Sequence, residues 1–298
     1  MILRLSAIAL LLVGLTSEAV AQPNSLIDYY GPRVIGIGES NRAGAIGATS
    51  IKLNPAGLAL SRQLVFDASY GFRAEDSASI VMVSACDSTV AIPGCFYYQY
   101  FSAEPTIGGN DMKRRAHEWG YTSSRLLTPQ IVLGLTGRYY DYNSDLTGEE
   151  DSSGFSFDAG LIFVASPAIK IAAVGYNLIG EESPQYPRAV ATGLSLQAGP
   201  MVALSMDALW NLDTADGEST GRYGGGVQLF LRSADKLNGY PIRAGAVYDA
   251  QLGGTYLTGG IGYANPRFGI DIGARRQVDG DGDELLILAG LRVYGPQI

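Results

Sequence analysis

The side chains that carry most acid–base and nucleophilic chemistry are scarce in this sequence. Its 298 residues contain one His and two Cys, against 18 Tyr and 39 Gly. His117 stands beside Trp119 and Tyr121, without the Ser or Cys and Asp arrangement of a catalytic triad. We therefore predict no catalytic residues and no enzymatic activity.

Two short motifs look like ligand sites but have the wrong spacing. Residues 36–41, "GIGESN", lack the last glycine of a dinucleotide fingerprint, and no βαβ unit follows them. Residues 279–284, "DGDGDE", open like a calcium loop, but Gly290 stands where the closing Glu is required. We predict no cofactor and no metal site, and we interpret the second motif as an acidic hairpin loop.

The two cysteines are close together in the chain. Cys86 and Cys95 enclose the stretch "DSTVAIPG", and no further metal-ligating residues stand near them. In an oxidising compartment a local disulfide is the usual outcome for such a pair. We therefore predict a disulfide between Cys86 and Cys95.

The remaining candidates are charged side chains spaced along otherwise apolar segments. Acidic and basic residues are interspersed: Asp67, Arg73, Arg114, Glu118, Arg138, Asp158, Asp207, Arg243, Asp249, Asp271 and Arg275. If they share an enclosed interior, its low dielectric requires that they be paired or hydrated. We expect an ion-paired network that braces the interior; a polar permeation path is the alternative.

The elements that would position these charges are fourteen segments in which apolar and polar residues alternate. They cover residues 64–73, 78–85, 95–103, 112–122, 130–142, 154–165, 168–179, 187–198, 201–211, 220–231, 241–249, 254–264, 266–277 and 284–294. A period of two predicts strands rather than helices. Strands of about 9–11 residues with one apolar face are typical of transmembrane barrels, whereas a soluble sandwich or propeller uses strands of about 5–6 residues. We predict an all-β, antiparallel transmembrane barrel of about fourteen strands.

The links between these segments alternate in length, as they do in barrels of the outer membrane. The links "SPA", "GP" and "NP" are tight, whereas "NSDLTGEEDSSG", "LDTADGEST" and "DGDGDE" are long and acidic. Two links on the tight side, "CDSTVAIPG" and "RSADKLNGY", are longer than this rule predicts. Apart from these two links, the alternation of short and long links favours a barrel with both ends of the chain in the periplasm.

The first residues predict export. Arg4 precedes an apolar run from Leu5 to Leu15, and the segment ends in Ala19-Val20-Ala21. This is the pattern of a cleaved secretory signal peptide over residues 1–21. A formal net charge of −8 argues against nucleic acid as a partner.

Residues 36–60 contain the motif Asn54-Pro55-Ala56-Gly57 near their end. This stretch resembles the amino-terminal signature of the FadL/PorV superfamily of outer-membrane barrels. Residues 186–210 and 240–276 resemble strand pairs of its PorV branch, which is associated with type IX secretion. The resemblance implies an N-terminal plug, or hatch, over residues 22–63 inside a barrel formed by residues 64–298. The chain departs from the family in its short loops and in its ending "VYGPQI", where Tyr294 would have to serve as the assembly-signal aromatic.

Three functions remain open at this point. The resemblance favours a PorV-like, plugged accessory or docking subunit of a secretion or envelope complex in the Gram-negative outer membrane. The alternatives are a FadL-like channel for hydrophobic small molecules such as fatty acids, and a structural barrel in a larger envelope assembly. The expected partners are outer-membrane lipids and lipopolysaccharide, a larger envelope or secretion protein, and a hydrophobic ligand.

Overall fold

The computed structural model describes residues 30–295, apart from 108, 147–148, 181–182, 184, 214–219 and 235–236. The expected signal peptide and residues 22–29 of the expected plug lie outside this range. The strands are β1 (Leu64–Arg73), β2 (Ala78–Asp87), β3 (Gly94–Ala103), β4 (Thr106–Ile107), β5 (Asn110–Asp111), β6 (Arg114–Thr128), β7 (Ile131–Ser144), β8 (Ser152–Ser166), β9 (Ile169–Tyr176), β10 (Ala189–Ala198), β11 (Val202–Asn211), β12 (Thr220–Arg232), β13 (Gly239–Asp249), β14 (Gly254–Ala264), β15 (Phe268–Asp279) and β16 (Leu285–Tyr294). Helical turns cover α1 (Pro32–Ile35) and two 3₁₀ segments, Gly47–Ser50 and Pro55–Leu60.

Fourteen of these strands form a closed antiparallel barrel. Each strand pairs with its neighbour in sequence, and β1 closes the sheet by pairing with β16, for example Tyr70 opposite Ala289. The predicted all-β, antiparallel barrel of fourteen strands is therefore confirmed. The alternating residues favour this closure because every strand has one apolar and one polar or small face, and closure leaves no unpaired edge.

Three differences from the predicted strands have local causes. β4 and β5 form a small separate hairpin in the link after β3, and their length of two residues is too short for alternation to show. β6 continues to Thr128, past the predicted end, with a register irregularity between Leu126 and Thr128. β9 ends at Tyr176 because the next residue, Asn177, adopts a left-handed φ of 52°.

The outward faces of the strands are apolar. In β1, Phe66, Tyr70 and Phe72 are exposed, while Val65 and Arg73 on the opposite face are buried. Phe96 and Phe155 are each 68% exposed. An apolar band of this extent is unfavourable in water and favourable against lipid chains.

The two ends of the barrel differ. The links at 167–168, 199–201 and 265–267 are short and lie at one end, which we call the turn end. The links after β7, β9, β11 and β15 lie at the other end, which we call the loop end. Among the described residues, no helix has the length and apolar character needed to cross a membrane.

Residues 30–61 are mostly buried against the inward faces of the strands, and we call residues 30–63 the inner segment. The 3₁₀ segment Pro55–Leu60 packs on β6, β7 and β8, whereas α1 packs on β14, β15 and β16. The inner segment therefore touches strands on different sides of the wall. Its Gly38 has a φ of +71°, and a β-carbon there would come within 2.2 Å of the Gly225 carbonyl oxygen. Only glycine allows this conformation and this approach.

Candidate functional site

The Asn-Pro-Ala-Gly motif lies at the start of the second 3₁₀ segment. Asn54 is its N-cap and accepts a hydrogen bond from the Ala56 amide through Oδ1 (3.1 Å). Its Nδ2 donates to the Arg42 carbonyl (3.1 Å) and to the Leu161 carbonyl of β8 (3.3 Å). One buried amide thus joins two parts of the inner segment to the wall.

Wall glycines face this motif. A β-carbon on Gly134 of β7 would lie 2.3 Å from the Ala56 amide nitrogen, and one on Gly160 of β8 would lie 2.1 Å from Oδ1 of Asn54. Any larger residue at either position would overlap the inner segment. The glycines of β7 and β8 therefore make room for the motif that precedes β1.

A first group of buried charges joins the inner segment to β6, β7 and β8. Lys52 Nζ lies 2.7 Å from Oε1 of Glu118, which also accepts a hydrogen bond from Tyr97 (2.6 Å). Arg138 lies 3.8 Å from the same oxygen and pairs with Asp158. Each charge in this group faces an opposite charge, as burial in a low dielectric requires.

A second contact joins the inner segment to β11. Arg42 Nη1 lies 3.1 Å from Oδ2 of Asp207, and its backbone amide donates to the same oxygen (2.9 Å). The Arg42 side chain also donates to the hydroxyl groups of Tyr176 (2.9 Å) and Tyr30 (2.8 Å). The guanidinium is therefore held from several directions.

A third group surrounds Glu39. Arg222 Nη2 lies 2.6 Å from its Oε2, and Arg275 pairs with its other oxygen. Arg275 also reaches Glu284, 2.6 Å away, and Arg222 lies 3.7 Å from Asp249. The "DGDGDE" loop thus contributes Glu284 to this network, while no group of three or more metal-ligating side chains occurs among the described residues.

A fourth group lies nearer the turn end and consists of wall residues. Asp271 lies between Arg243 (2.8 Å) and Arg292 (2.6 Å). Arg292 is also 3.8 Å from Asp67. Arg33 of α1 is near these side chains and donates through Nη1 to Thr49 (2.7 Å).

Further ion pairs stand at the loop end. Arg73 lies 2.6 Å from Asp76, and Arg114 lies 2.9 Å from Glu149. In the loops, Arg188 donates to Asp213 at 2.8 Å and holds the pKa of that carboxyl below its usual range. All the charges selected from the sequence therefore face the interior, and these pairs account for each of them.

Sequence reasoning missed Glu39, Arg42 and Lys52 of the inner segment, as well as the wall and loop partners Asp76, Glu149, Arg222, Glu284 and Arg292. The three residues of the inner segment supply one charge to each of the first three groups. Glu39, Arg42 and Lys52 are single charged residues in a segment rich in Gly and Ala. This pattern could have indicated ion pairs with the wall, because a charge buried among small residues requires a partner.

The lumen also contains a large buried apolar cluster, which we call the lumen apolar cluster. It consists of residues in the loop-end halves of eight strands, together with α1 and one loop residue: Ile35, Ala78, Ile80, Phe101, Ala103, Ala116, Tyr140, Tyr142, Val174, Tyr176, Tyr186, Ala189, Ala191, Leu209, Leu286 and Leu288. The sequence did not indicate it, because each strand contributes only one or two members. The loop-end half of the interior therefore contains this apolar cluster beside ion pairs such as Arg73 with Asp76 and Arg114 with Glu149.

The cysteines and the histidine lie in the wall. Cys86 and Cys95 are directly opposite each other on β2 and β3 and form a disulfide at the turn end. His117 stacks against Trp119, with ring centroids 5.7 Å apart, and its Nδ1 lies 2.8 Å from the Tyr98 hydroxyl. Its neighbours are aromatic, which is the environment of a membrane-interface girdle.

No protein-family model matches the chain, and no curated protein matches it. Several solved structures are similar to it. The toluene transporter TodX of Pseudomonas putida is similar with a TM-score of 0.71 at 12% identity, over 92% of this chain and 99% of that one. The toluene transporter TbuX of Ralstonia pickettii gives a TM-score of 0.65 at 12% identity, over 91% of this chain and 99% of that one.

A FadL homologue of Pseudomonas aeruginosa gives a TM-score of 0.64 at 10% identity, over 89% of this chain and 97% of that one. At such identities the likeness concerns the fold, and it extends over nearly the whole of each chain. The chain therefore has the fold of FadL-type barrels.

Proposed function

We propose that this protein is exported by its N-terminal signal peptide and resides in the bacterial outer membrane. The support is the apolar outward face, which includes Phe96 and Phe155, together with the closed sheet. Outer-membrane lipids and lipopolysaccharide are then the surroundings of the barrel.

Within that membrane, we propose that the barrel is a FadL-like channel for hydrophobic small molecules. The observation that carries this proposal is the lumen apolar cluster, whose side chains are packed against one another with at most 4% exposure; a hydrophobic molecule that enters from the loop end would have to separate them and pack among them. The shared fold with toluene transporters supports it. The PorV branch, which the sequence favoured, finds no support in these likenesses.

In this proposal the inner segment acts as the plug. Its buried contacts with Glu118, Asp207 and Arg275 hold it across the lumen. Passage of a molecule past it requires rearrangement of the inner segment or an exit through the wall. The ion pairs would then control how readily the segment moves.

Gentle detergent extraction of the native protein, followed by mass spectrometry of co-purifying lipids and proteins, separates the candidate functions. The channel proposal predicts bound hydrophobic small molecules and no stoichiometric protein partner. A large partner at stoichiometric amounts, with no bound small molecule, would contradict it.

A second candidate is the accessory or docking role in a secretion or envelope complex. One observation favours it: the outer wall carries a groove of about 760 Å³ lined by aromatic side chains, among them Phe96, Trp119, Tyr139 and Phe157. A partner in the membrane could cover these side chains. Substitution of Trp119 by Ala should then release the partner in the same extraction, and an unchanged complex would argue against docking at this groove.

A further inference from the structure

A second cavity, of about 220 Å³, lies at the turn end between the inner segment and the wall. The link between β8 and β9 contributes Pro167 and Ala168 to it, and the inner segment contributes Ile46, which is 41% exposed. We call it the turn-end cavity. It is separate from the lumen apolar cluster, with which it shares no lining residue.

The charge lining the turn-end cavity is of one sign. Arg33, Lys170 and Arg243 line it, and no Asp or Glu among the described residues does. This contrasts with the first three groups of ion pairs in the lumen, and with the net charge of −8 of the whole chain. The cavity therefore favours an anion.

The three cations differ in how far acidic side chains of the protein neutralise them. Arg243 is 2.8 Å from Asp271 and donates through Nε to Gln228 (2.8 Å). Lys170, on the inward face of β9, makes no hydrogen bond or ion pair with any residue that the structure describes. Arg33 lies near Asp271 and Asp67; it makes one hydrogen bond, to Thr49, and its Nε is buried without a partner. An unpaired cation in a confined site is costly, and a bound anion would offset that cost.

The rest of the lining defines the kind of anion. Asn41 and Ser195 add amide and hydroxyl groups, whereas Ile37, Ile46 and Ala203 add apolar surface. The volume equals that of about seven water molecules, which is enough for a charged head and a short apolar body. We propose that the turn-end cavity binds a small organic carboxylate, with Lys170 and Arg33 as its charged ligands. This site does not depend on whether the barrel conducts hydrophobic molecules.

The test is a titration of the full-length protein in detergent with benzoate and with propionate, followed by saturation-transfer NMR. Chloride and inorganic phosphate serve as competing ions. We expect Lys170→Met to weaken carboxylate binding about tenfold, as the loss of one charge-assisted hydrogen bond does. Lys170→Arg should retain binding, and Arg33→Gln should weaken it independently. Lys113→Met is the matched control, because Lys113 is exposed at the loop end.

Heat-dependent gel migration of each variant shows whether the barrel is folded, so a lost signal can be assigned to the site. The proposal is overturned if neither carboxylate binds the folded protein, or if Lys170→Met and Arg33→Gln bind as well as the unmodified protein. Equal competition by chloride would also overturn it, because the cavity would then hold an adventitious ion only.

Discussion

Glu118 illustrates, at the scale of single residues, why charges can be buried in this lumen. Its side chain is nearly inaccessible, and one of its oxygens contacts Lys52, Tyr97 and Arg138. Removing one partner of a buried ion pair leaves the other charge uncompensated, which costs about 3–5 kcal/mol. The same reasoning applies to Asp207 with Arg42 and to Glu39 with Arg275.

Glu118→Gln should therefore destabilise the barrel by a few kcal/mol. The measurement is the temperature at which the folded band is lost on a gel in mild detergent. Glu104→Gln is the matched control, because Glu104 is half-exposed and lies 3.9 Å from Lys113. Pairs of that kind contribute about 0–1 kcal/mol. Equal stability of both variants would show that the buried network does not hold the inner segment.

The two cysteines give a chemical prediction at the same scale. Because Cys86 and Cys95 are bonded to each other, alkylation of the unfolded protein without reduction should label neither. After reduction both should react. Labelling before reduction would show that the wall is not cross-linked at β2 and β3.

The elements of this molecule fit together through glycines placed on the inward faces of strands. Gly134 and Gly160 face the Asn54–Ala56 region, and β7 and β8 could not approach the inner segment with larger residues there. The backbone of the inner segment thus lies directly against the wall at these two glycines. Its position is set by shape as well as by charge.

Gly134→Ala should displace the inner segment. Its methyl group would overlap the Ala56 amide, and overpacking of this kind costs about 1–3 kcal/mol. Limited proteolysis of the detergent-solubilised protein should then cleave within residues 30–63 faster than in the unmodified protein. The control is Gly137→Ala on the same strand, whose β-carbon would face outward and meet only the Phe157 ring, at 3.2 Å. Equal cleavage of the two variants would contradict the described packing.

The sequence predicted the wall far better than the interior. Alternation in segments such as 201–211 depends on neighbours in sequence, so it showed which side chains, such as Asp207, face inward. The partners of those charges come from residues 39, 42 and 52, and such pairing depends on how the inner segment crosses the lumen. The lumen apolar cluster was missed for the same reason, since Phe101 and Leu288 meet only when the sheet closes.

At the scale of the whole molecule, the barrel combines an apolar outer surface with an interior of two kinds. The loop-end half contains the lumen apolar cluster, and the charged groups hold the inner segment to the wall. A closed sheet with this outer surface requires detergent or lipid to remain dispersed. We expect the folded protein to migrate faster than the heated protein on a gel; a mature protein soluble without detergent would contradict the membrane assignment.

The proposed channel is tested most directly by the uptake of radiolabelled toluene and oleate into proteoliposomes that contain the purified protein. We predict uptake of at least one of them well above that of protein-free vesicles, and a clear reduction by Leu209→Arg, which places a charge in the lumen apolar cluster. The matched control Leu204→Arg lies on the same strand but faces outward, and folded protein of either variant is used. Uptake equal to that of empty vesicles for both compounds would contradict the proposed function.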